Sequence, residues 1–410
     1  MRVLWILNSP MPDALSVLTG KEEVSRTTGS WVCALAEVLK GRDDVSLFTA
    51  APSRLVKRPT RIEGRSVTHF LLPLSGNYWK EVRDEVRPDV VHIHGTEYSF
   101  FLDFVNSCGS GHVVVSLQGL ICVYRDLYFG GIPEEKIKKC ISFRDILRKD
   151  TLITQKDSLQ RRGDTEIALL KRVGHVMGRT SWDRSVSLGI NPGLNYHYVG
   201  EALREPFYSG KWRYEDCIPH RIFISQGHNP LKGLHKFLEA LPAVAERFPD
   251  ISVHIAGPDV SRGRIVKAGF MRNGYGKYLH GLIHDLSLQG MISFIGESDA
   301  RRIREELLQA NLYLLPSIIE NSPNSLCEAQ MLGVPSIASS VGGIPDLVPD
   351  PSCGELYPFE DTDALSAKIV SVFERSPRFD NSTMRSTASA RHDRDRIIND
   401  LMDAYVEVAG

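Results

Sequence analysis

The sequence contains no apolar run near the ~20 residues that a membrane-spanning helix needs, no C-x-x-C pair and no excess of either charge. Its seven cysteines, at positions 33, 108, 122, 140, 217, 327 and 353, are odd in number and scattered. That pattern argues against a disulfide framework and against a zinc knuckle, and it predicts a reducing compartment. Lysine plus arginine, 49, almost cancels aspartate plus glutamate, 50, for a net charge of -1. A dedicated nucleic-acid surface is thereby disfavoured. The opening "MRVLWILNSP" is too short for the apolar core of a signal peptide and has no small-residue cleavage site after it. These absences together predict a cytoplasmic protein, attached at most to the inner face of a membrane. What is present is ordinary globular composition, 42% hydrophobic and 24% charged, with no call for disorder.

A chain of 410 residues exceeds one core of usual size, so two domains are expected. Short runs rich in valine and isoleucine alternate with amphipathic segments, the pattern of a parallel sheet covered by helices on both faces. The class is therefore α/β. "RVLWILN" (2–8), "VSLFTA" (45–50), "DVVHIHG" (89–95), "HVVVSLQG" (112–119) and "HVMGRT" (175–180) are predicted strands, with a helix over 29–41. Residues 120–173 are polar, charged and mostly helical in pattern, and do not fit the alternation. They form either a lobe on the N-terminal side or a solvated helical face. A second alternation starts at "RIFISQG" (221–227), after an aromatic and proline-containing linker. The expected organisation is a first domain over 1–200, a second over 218–385, and a terminal amphipathic helix over about 386–410 packing back on the first.

Parallel sheets of this kind bind ligands beyond the C-terminal ends of their strands, where loops gather and helix N-termini point. After "RIFIS" the loop "QGHNPLKG" puts Lys232 and Gly233 at a helix start, a possible anion site; alone it is equally a capping loop with a solvated lysine. After "NLYLLPS" comes "IIENSPNSLCEAQMLGVP". Here Ser322 and Pro323 predict a helix start, with serine as the cap, and Gly333 with Pro335 predicts its end. Glu320 then lies in the loop and Glu328 in the second turn, with the N–H groups of Asn324, Ser325 and Leu326 between them. Such N–H groups suit a diphosphate, and flanking carboxylates suit vicinal hydroxyls. Either acid alone would be unremarkable; the pair around a helix start describes a nucleotide-sugar cradle. Gly342 and Gly343, before a further helix start, allow close backbone approach.

These residues resemble glycosyltransferase family 4, the retaining transferases of GT-B fold. Its E-x7-E run is matched by Pro316-Ser317, Glu320, Pro323-Asn324, Glu328-Ala329, Gly333, Pro335 and Gly342-Gly343. In the N-terminal half "RPDVVHIHG" and Gly29 are also similar to the family. The resemblance implies two Rossmann-like domains facing a central cleft, with the acceptor on the first and the donor on the second. It implies that Glu328 holds the ribose, Glu320 orients the hexose and Lys232 neutralises the leaving diphosphate. Asn321, Ser322, Asn324, Ser325 and Leu326 would line sugar and phosphates, and Gly29 would approach the diphosphate from the other side. Two positions depart from the pattern. Gly227 stands where the family commonly has an arginine, and Gln118 stands at the turn where it often has a histidine; glutamine can hydrogen-bond but cannot shuttle a proton. Arg179 is a candidate for the missing charge, or else a structural salt-bridge partner.

His92 and His94 share a strand face without a third metal ligand in view, and Asp393-Arg394-Asp395 has D-x-D form inside the terminal helix. Burial is the expected role of the first pair and solvation that of the second. No obligatory metal or cofactor is predicted. The expected function is transfer of a hexose from a nucleotide-diphosphate sugar, such as a UDP-sugar, to an acceptor hydroxyl with retention. The resemblance places it in bacterial surface polysaccharide or capsule biosynthesis, with a glycan or lipid-linked glycan acceptor and possible peripheral membrane contact. A GT-B sugar-nucleotide epimerase and a non-catalytic nucleotide-sugar-binding subunit are the competing readings.

Overall fold

The computed structural model describes residues 1–20, 30–39, 41–64, 66–262, 264–266 and 269–410. Gly29, expected at the diphosphate, lies outside the described residues. The chain divides into two compact units. The first comprises Met1–Cys122, Arg161–Arg204 and His392–Gly410; the second comprises Val123–Gln160 and Glu205–Arg391.

The first unit is built on eight strands: β1 (Arg2–Ile6), β2 (Ser46–Pro52), β3 (Thr60–Glu63), β4 (Thr68–Leu72), β5 (Val90–His94), β6 (Val113–Ser116), β7 (His175–Gly178) and β8 (Asn195–Tyr198). Their order is β3-β4-β2-β1-β5-β6-β7-β8, parallel except for the β3–β4 pair. Central strands such as β5 are buried along their whole length, which is why they read as unbroken apolar runs rather than as alternation. The terminal helix Arg394–Ala409 buries Ile397, Ile398, Leu401, Ala404, Tyr405 and Val408 in the same core as Val3, Trp5, Val114 and Met177. Each large apolar side chain so covered is worth about 1.5–3 kcal/mol relative to exposure.

The second unit carries β9 (Arg221–Ile224), β10 (Ser252–Ala256), the short antiparallel pair β11 (Arg264–Val266) and β12 (Gly269–Met271), then β13 (Ile292–Gly296), β14 (Leu312–Leu315), β15 (Ser336–Ser339) and β16 (Glu355–Tyr357). Its main sheet, β13-β10-β9-β14-β15-β16, is parallel throughout. Both units are thus Rossmann-like, and the fold is the expected α/β GT-B class.

Residues 120–173 correct one expectation. They are helical, but 123–160 cluster with the second unit rather than with the N-terminal part of the chain. The reason is visible in polar ties. His235 Nε2 lies 2.8 Å from the Gly130 carbonyl, and Lys277 Nζ donates to the Lys139 carbonyl at 3.1 Å. The helix Glu134–Cys140 packs on the helix Gly274–Asp285. The terminal segment of the first unit begins at His392, not near 386, because the helix Ser382–Arg391 packs on Asn324–Leu332 in the second.

Candidate functional site

The second unit gathers the residues of the E-x7-E run at the C-terminal ends of β9 and β14. Beyond β9, a single 3-10 turn over Pro230–Lys232 ends at Gly233, whose φ is +65°. A Cβ there would come within 1.7 Å of the Pro316 carbonyl oxygen, so the two loops touch backbone to backbone. Ile318 N–H donates to the Leu231 carbonyl at 2.8 Å and completes the join.

This join carries Lys232 to Glu320. Nζ lies 2.7 Å from Oε1, with the lysine side chain 25% and the glutamate side chain 12% exposed. Ser317 Oγ donates to the same oxygen at 2.9 Å. Behind Glu320, Gly342 at φ +53° brings its backbone so near that a Cβ would lie 2.0 Å from the Glu320 carbonyl oxygen, which accepts the Gly343 N–H at 3.0 Å.

The helix Asn324–Leu332 ends at Gly333 in the left-handed conformation, as its sequence predicts. Its start differs from expectation. Pro323 occupies the cap position and no side chain caps the helix, so Ser322 does not have the predicted role: proline's fixed φ sets the entry one residue later. The N–H of Leu326 is also taken, by the Pro323 carbonyl at 3.0 Å. Asn324 Oδ1, at the first helical position, is buried without a hydrogen-bond partner among the described residues. Glu328 is buried in the second turn, and Asn321 is buried in the loop ahead of it.

The negative charges of both glutamates are felt at Tyr313. Burial is the main reason its hydroxyl is pushed far above the usual tyrosine range, and the negative charges of Glu320 and Glu328 push the same way. Ser225 Oγ is 3.1 Å from that hydroxyl.

Gly227 is sealed by packing. A Cβ on it would lie 2.7 Å from Leu234 Cδ2 and 3.2 Å from Ile255 Cγ2, so the space beside this position is filled by the start of the next helix. The neighbouring His228 was missed by the sequence reading although it sits in the same quoted loop. Its imidazole is held below its ordinary pKa by desolvation and by the charge of Lys232, which places a neutral ring beside the lysine.

In the first unit, Gln118 and Arg179 line a cavity of about 410 Å³, counting space open to solvent, together with His92, Ser116, Glu201 and Leu401. Arg179 is ion-paired with Glu201; it also donates to the Leu117 carbonyl at 2.9 Å and approaches Gln118 Oε1 at 3.4 Å. Its charge is met inside this unit by Glu201, the salt-bridge role that the sequence offered as one of two for this residue.

A hydrogen-bonded chain runs beneath that cavity. Trp5 Nε1 donates to Tyr405 Oη at 2.9 Å, Tyr405 Oη lies 2.7 Å from His92 Nδ1, and His92 Nε2 lies 2.6 Å from Ser116 Oγ. His92 and His94 are buried and stacked, with ring centroids 3.8 Å apart. Asp393 is exposed, as expected of a solvated face, and also caps the terminal helix by accepting the Arg396 N–H at 2.8 Å. Glu166 is another residue the sequence did not single out. It is buried, accepts the Cys122 N–H at 2.7 Å and bonds Thr96, and burial raises its pKa.

One described group has metal-ligand chemistry, also in the first unit. His175 on β7, His197 on β8 and Glu407 offer ligand atoms within 4.8 Å of one another. The signal in sequence was slight, because the three positions are separated by up to 232 residues. All seven cysteines are free, and among the described residues no helix is long and apolar enough to cross a membrane.

Residues 220–391 match the family described as glycosyl transferases group 1. The chain is 24% identical over 191 residues to the phosphatidyl-myo-inositol mannosyltransferase of Mycolicibacterium smegmatis, covering 46% of this chain and 45% of that protein. It is 26% identical over 197 residues to the putative colanic acid biosynthesis glycosyltransferase WcaL of Salmonella typhimurium, covering 44% and 48%. The matching stretch thus spans about half the length of these relatives. Among solved structures, sucrose-phosphate synthase from Thermosynechococcus elongatus superposes with a TM-score of 0.68 at 15% identity over 99% of this chain and 98% of that one. Anabaena HepE in complex with UDP-glucose gives 0.65 at 16%, over 99% and 100%.

Proposed function

Because residues 220–391 belong to the glycosyl transferases group 1 family, we propose that the protein is a retaining glycosyltransferase that moves a hexose from a nucleotide-diphosphate sugar to an acceptor hydroxyl. The observation that carries this reading is the Lys232–Glu320 pair, 2.7 Å apart, set beside a helix start whose second turn holds Glu328.

The chemistry assigns each group a task. Breaking the bond between the hexose C1 and the diphosphate leaves an oxocarbenium-like sugar and a leaving group rich in negative charge. Lys232 and the first-turn N–H groups of Asn324 and Ser325 would stabilise that charge. Glu320, already oriented by Ser317, would hold hexose hydroxyls, and Glu328 the ribose. The acceptor oxygen forms the new bond to C1, and its proton leaves with the phosphate side.

In this reading the first unit holds the acceptor, with Gln118 as a hydrogen-bonding group, and the second holds the donor. No metal or cofactor is required in this reading, the charge being carried by Lys232 and backbone dipoles. HepE is described with UDP-glucose, and that supports a uridine donor here. WcaL is described as a colanic acid biosynthesis enzyme and the mycolicibacterial relative as a phosphatidyl-myo-inositol mannosyltransferase. They support surface polysaccharide assembly on a glycan or lipid-linked glycan acceptor, and we infer that such assembly takes place at the inner face of the membrane.

The test is a thermal-shift screen with UDP, GDP and their sugars, followed by anomeric analysis of the product. A ligand at 100 times its Kd stabilises the folded state by about 2.7 kcal/mol. No shift with any nucleotide sinks the reading; a shift without transfer to any acceptor leaves a binding subunit, and a changed nucleotide-sugar released without acceptor identifies an epimerase.

A further inference from the structure

The short helix Phe143–Arg148 of the second unit is turned inside out relative to the usual rule. Its apolar residues Phe143, Ile146 and Leu147 are 75%, 62% and 67% exposed. They fall at i, i+3 and i+4 and so form one helical face. The polar face is the one tied to the protein. Asp145 is buried, accepts the Ser142 N–H at 3.1 Å and forms a capping box with it. Arg144 bridges Asp145 and Asp150 at 2.8 and 3.0 Å. These bonds fix the rotation of the helix and hold its apolar side outward.

The charges around this face decide what it fits. Residues 134–150 contain six basic side chains (136, 138, 139, 144, 148 and 149) and four acids (134, 135, 145 and 150), a surplus of two. Arg144 is occupied with both Asp145 and Asp150. Setting those three aside leaves five basic groups against Glu134 and Glu135, with Glu134 paired to Lys138 at 2.8 Å. Lys277, exposed and bonded to the Lys139 carbonyl, adds one more. A second copy of this chain would bring like charge against like; an anionic bilayer would not.

We propose that Phe143, Ile146 and Leu147 insert into the headgroup boundary of an anionic membrane while Lys139, Arg148, Lys149 and Lys277 meet its phosphates. Apolar insertion and basic attraction are the two signals that together give stable, reversible peripheral binding. The inference deepens the membrane-face reading above, and its test does not depend on sugar transfer.

Flotation of the full chain with phosphatidylcholine vesicles, with and without phosphatidylglycerol, measures it. The expected result is binding to anionic vesicles only, weakening as salt rises. The triple variant Phe143→Ser/Ile146→Ser/Leu147→Ser should lose at least about tenfold in partitioning. Lys139→Gln/Arg148→Gln should lose roughly fivefold per residue. An unchanged nucleotide-induced thermal shift shows that the variants remain folded. Absence of binding to anionic vesicles overturns the proposal, as does undiminished binding by the triple variant. Conversion of an oligomer to a monomer by the triple variant, with vesicle binding intact, assigns the face to a contact between copies instead.

Discussion

Lys232 Nζ and Glu320 Oε1 stand 2.7 Å apart, 88 residues distant in sequence, so the cation expected at the diphosphate and the carboxylate expected at the hexose share one ion pair. Their partial burial, with Ser317 as a third member, makes the pair a fixed feature rather than a passing surface contact. It couples the two ends of the proposed donor site: a phosphate drawing on Lys232 acts on the orientation of Glu320.

Glu320→Gln separates charge from shape. The amide oxygen can still accept from Ser317 and Lys232, so thermal stability should change little. Turnover should fall on the order of 10²- to 10³-fold, the size of losing one preorganised polar group at a reacting centre. Steady-state transfer rates beside a thermal melt decide it; a variant as fast as the parent removes Glu320 from the chemistry.

Lys232→Met should weaken nucleoside diphosphate binding. One charge-assisted hydrogen bond is worth about 1.5–3 kcal/mol, or roughly 10- to 150-fold in Kd. Titration calorimetry with UDP measures the change, and nucleoside without phosphate should bind variant and parent alike. Equal loss for both ligands would mean that the loop, not the charge, had been damaged.

Gly233 and Gly342 test the backbone joins behind the pair. A left-handed residue other than glycine costs about 1–2 kcal/mol, and the Cβ approaches of 1.7 and 2.0 Å to the Pro316 and Glu320 carbonyls add a clash that only loop movement relieves. Gly233→Ala and Gly342→Ala should therefore lower urea midpoints and donor binding together. Gly290→Ala, also at positive φ but with nothing within 4 Å, supplies the strain without the clash and should retain donor binding.

The sequence was most legible where one element dictates its own shape. Buried central strands, the Gly333 helix stop and the spacing of Glu320 and Glu328 all follow from local pattern, and the structure has them where that pattern places them. Joins across the chain were not legible. Nothing near Arg179 signals Glu201, and nothing near residue 130 signals His235, because such pairings depend on packing between distant segments. The 123–160 segment was misplaced for the same reason. Ser322 was misread as a cap because serine before proline satisfies the usual rule, while proline itself took the position. The arginine absent at Gly227 becomes intelligible only from the Leu234 and Ile255 side chains that occupy the space.

The chain from Trp5 to Ser116 yields a pH dependence with a definite sign. Burial pushes the His92 pKa down to about 3, and burial together with the neighbouring His92 drives His94 well below its ordinary value. The groups facing His92 are Trp5, Tyr405, Ser116 and His94, none of them an acid that would favour a charged ring. Trp5 can only donate, so Tyr405 accepts from it and donates to His92 Nδ1, and the neutral ring donates from Nε2 to Ser116. The unfolded chain takes up a proton near the usual histidine pKa of about 6.5, whereas the folded chain does not. The stabilisation is complete above about pH 6.5 and is lost as pH falls from there towards 3, by up to about 1.4 kcal/mol per pH unit for each histidine. Urea midpoints measured from pH 7.5 down to 4.5 should fall accordingly. His92→Gln should flatten the slope by one histidine's share, whatever its effect at neutral pH. Tyr405→Phe strands the Trp5 N–H and His92 Nδ1 in the core and should cost about 1–3 kcal/mol for each, while UDP binding, read in the second unit, stays as it was. If the slope of the His92 variant matches that of the parent, the folded ring takes up its proton as readily as the unfolded one and then donates from both nitrogens, to Tyr405 Oη and Ser116 Oγ.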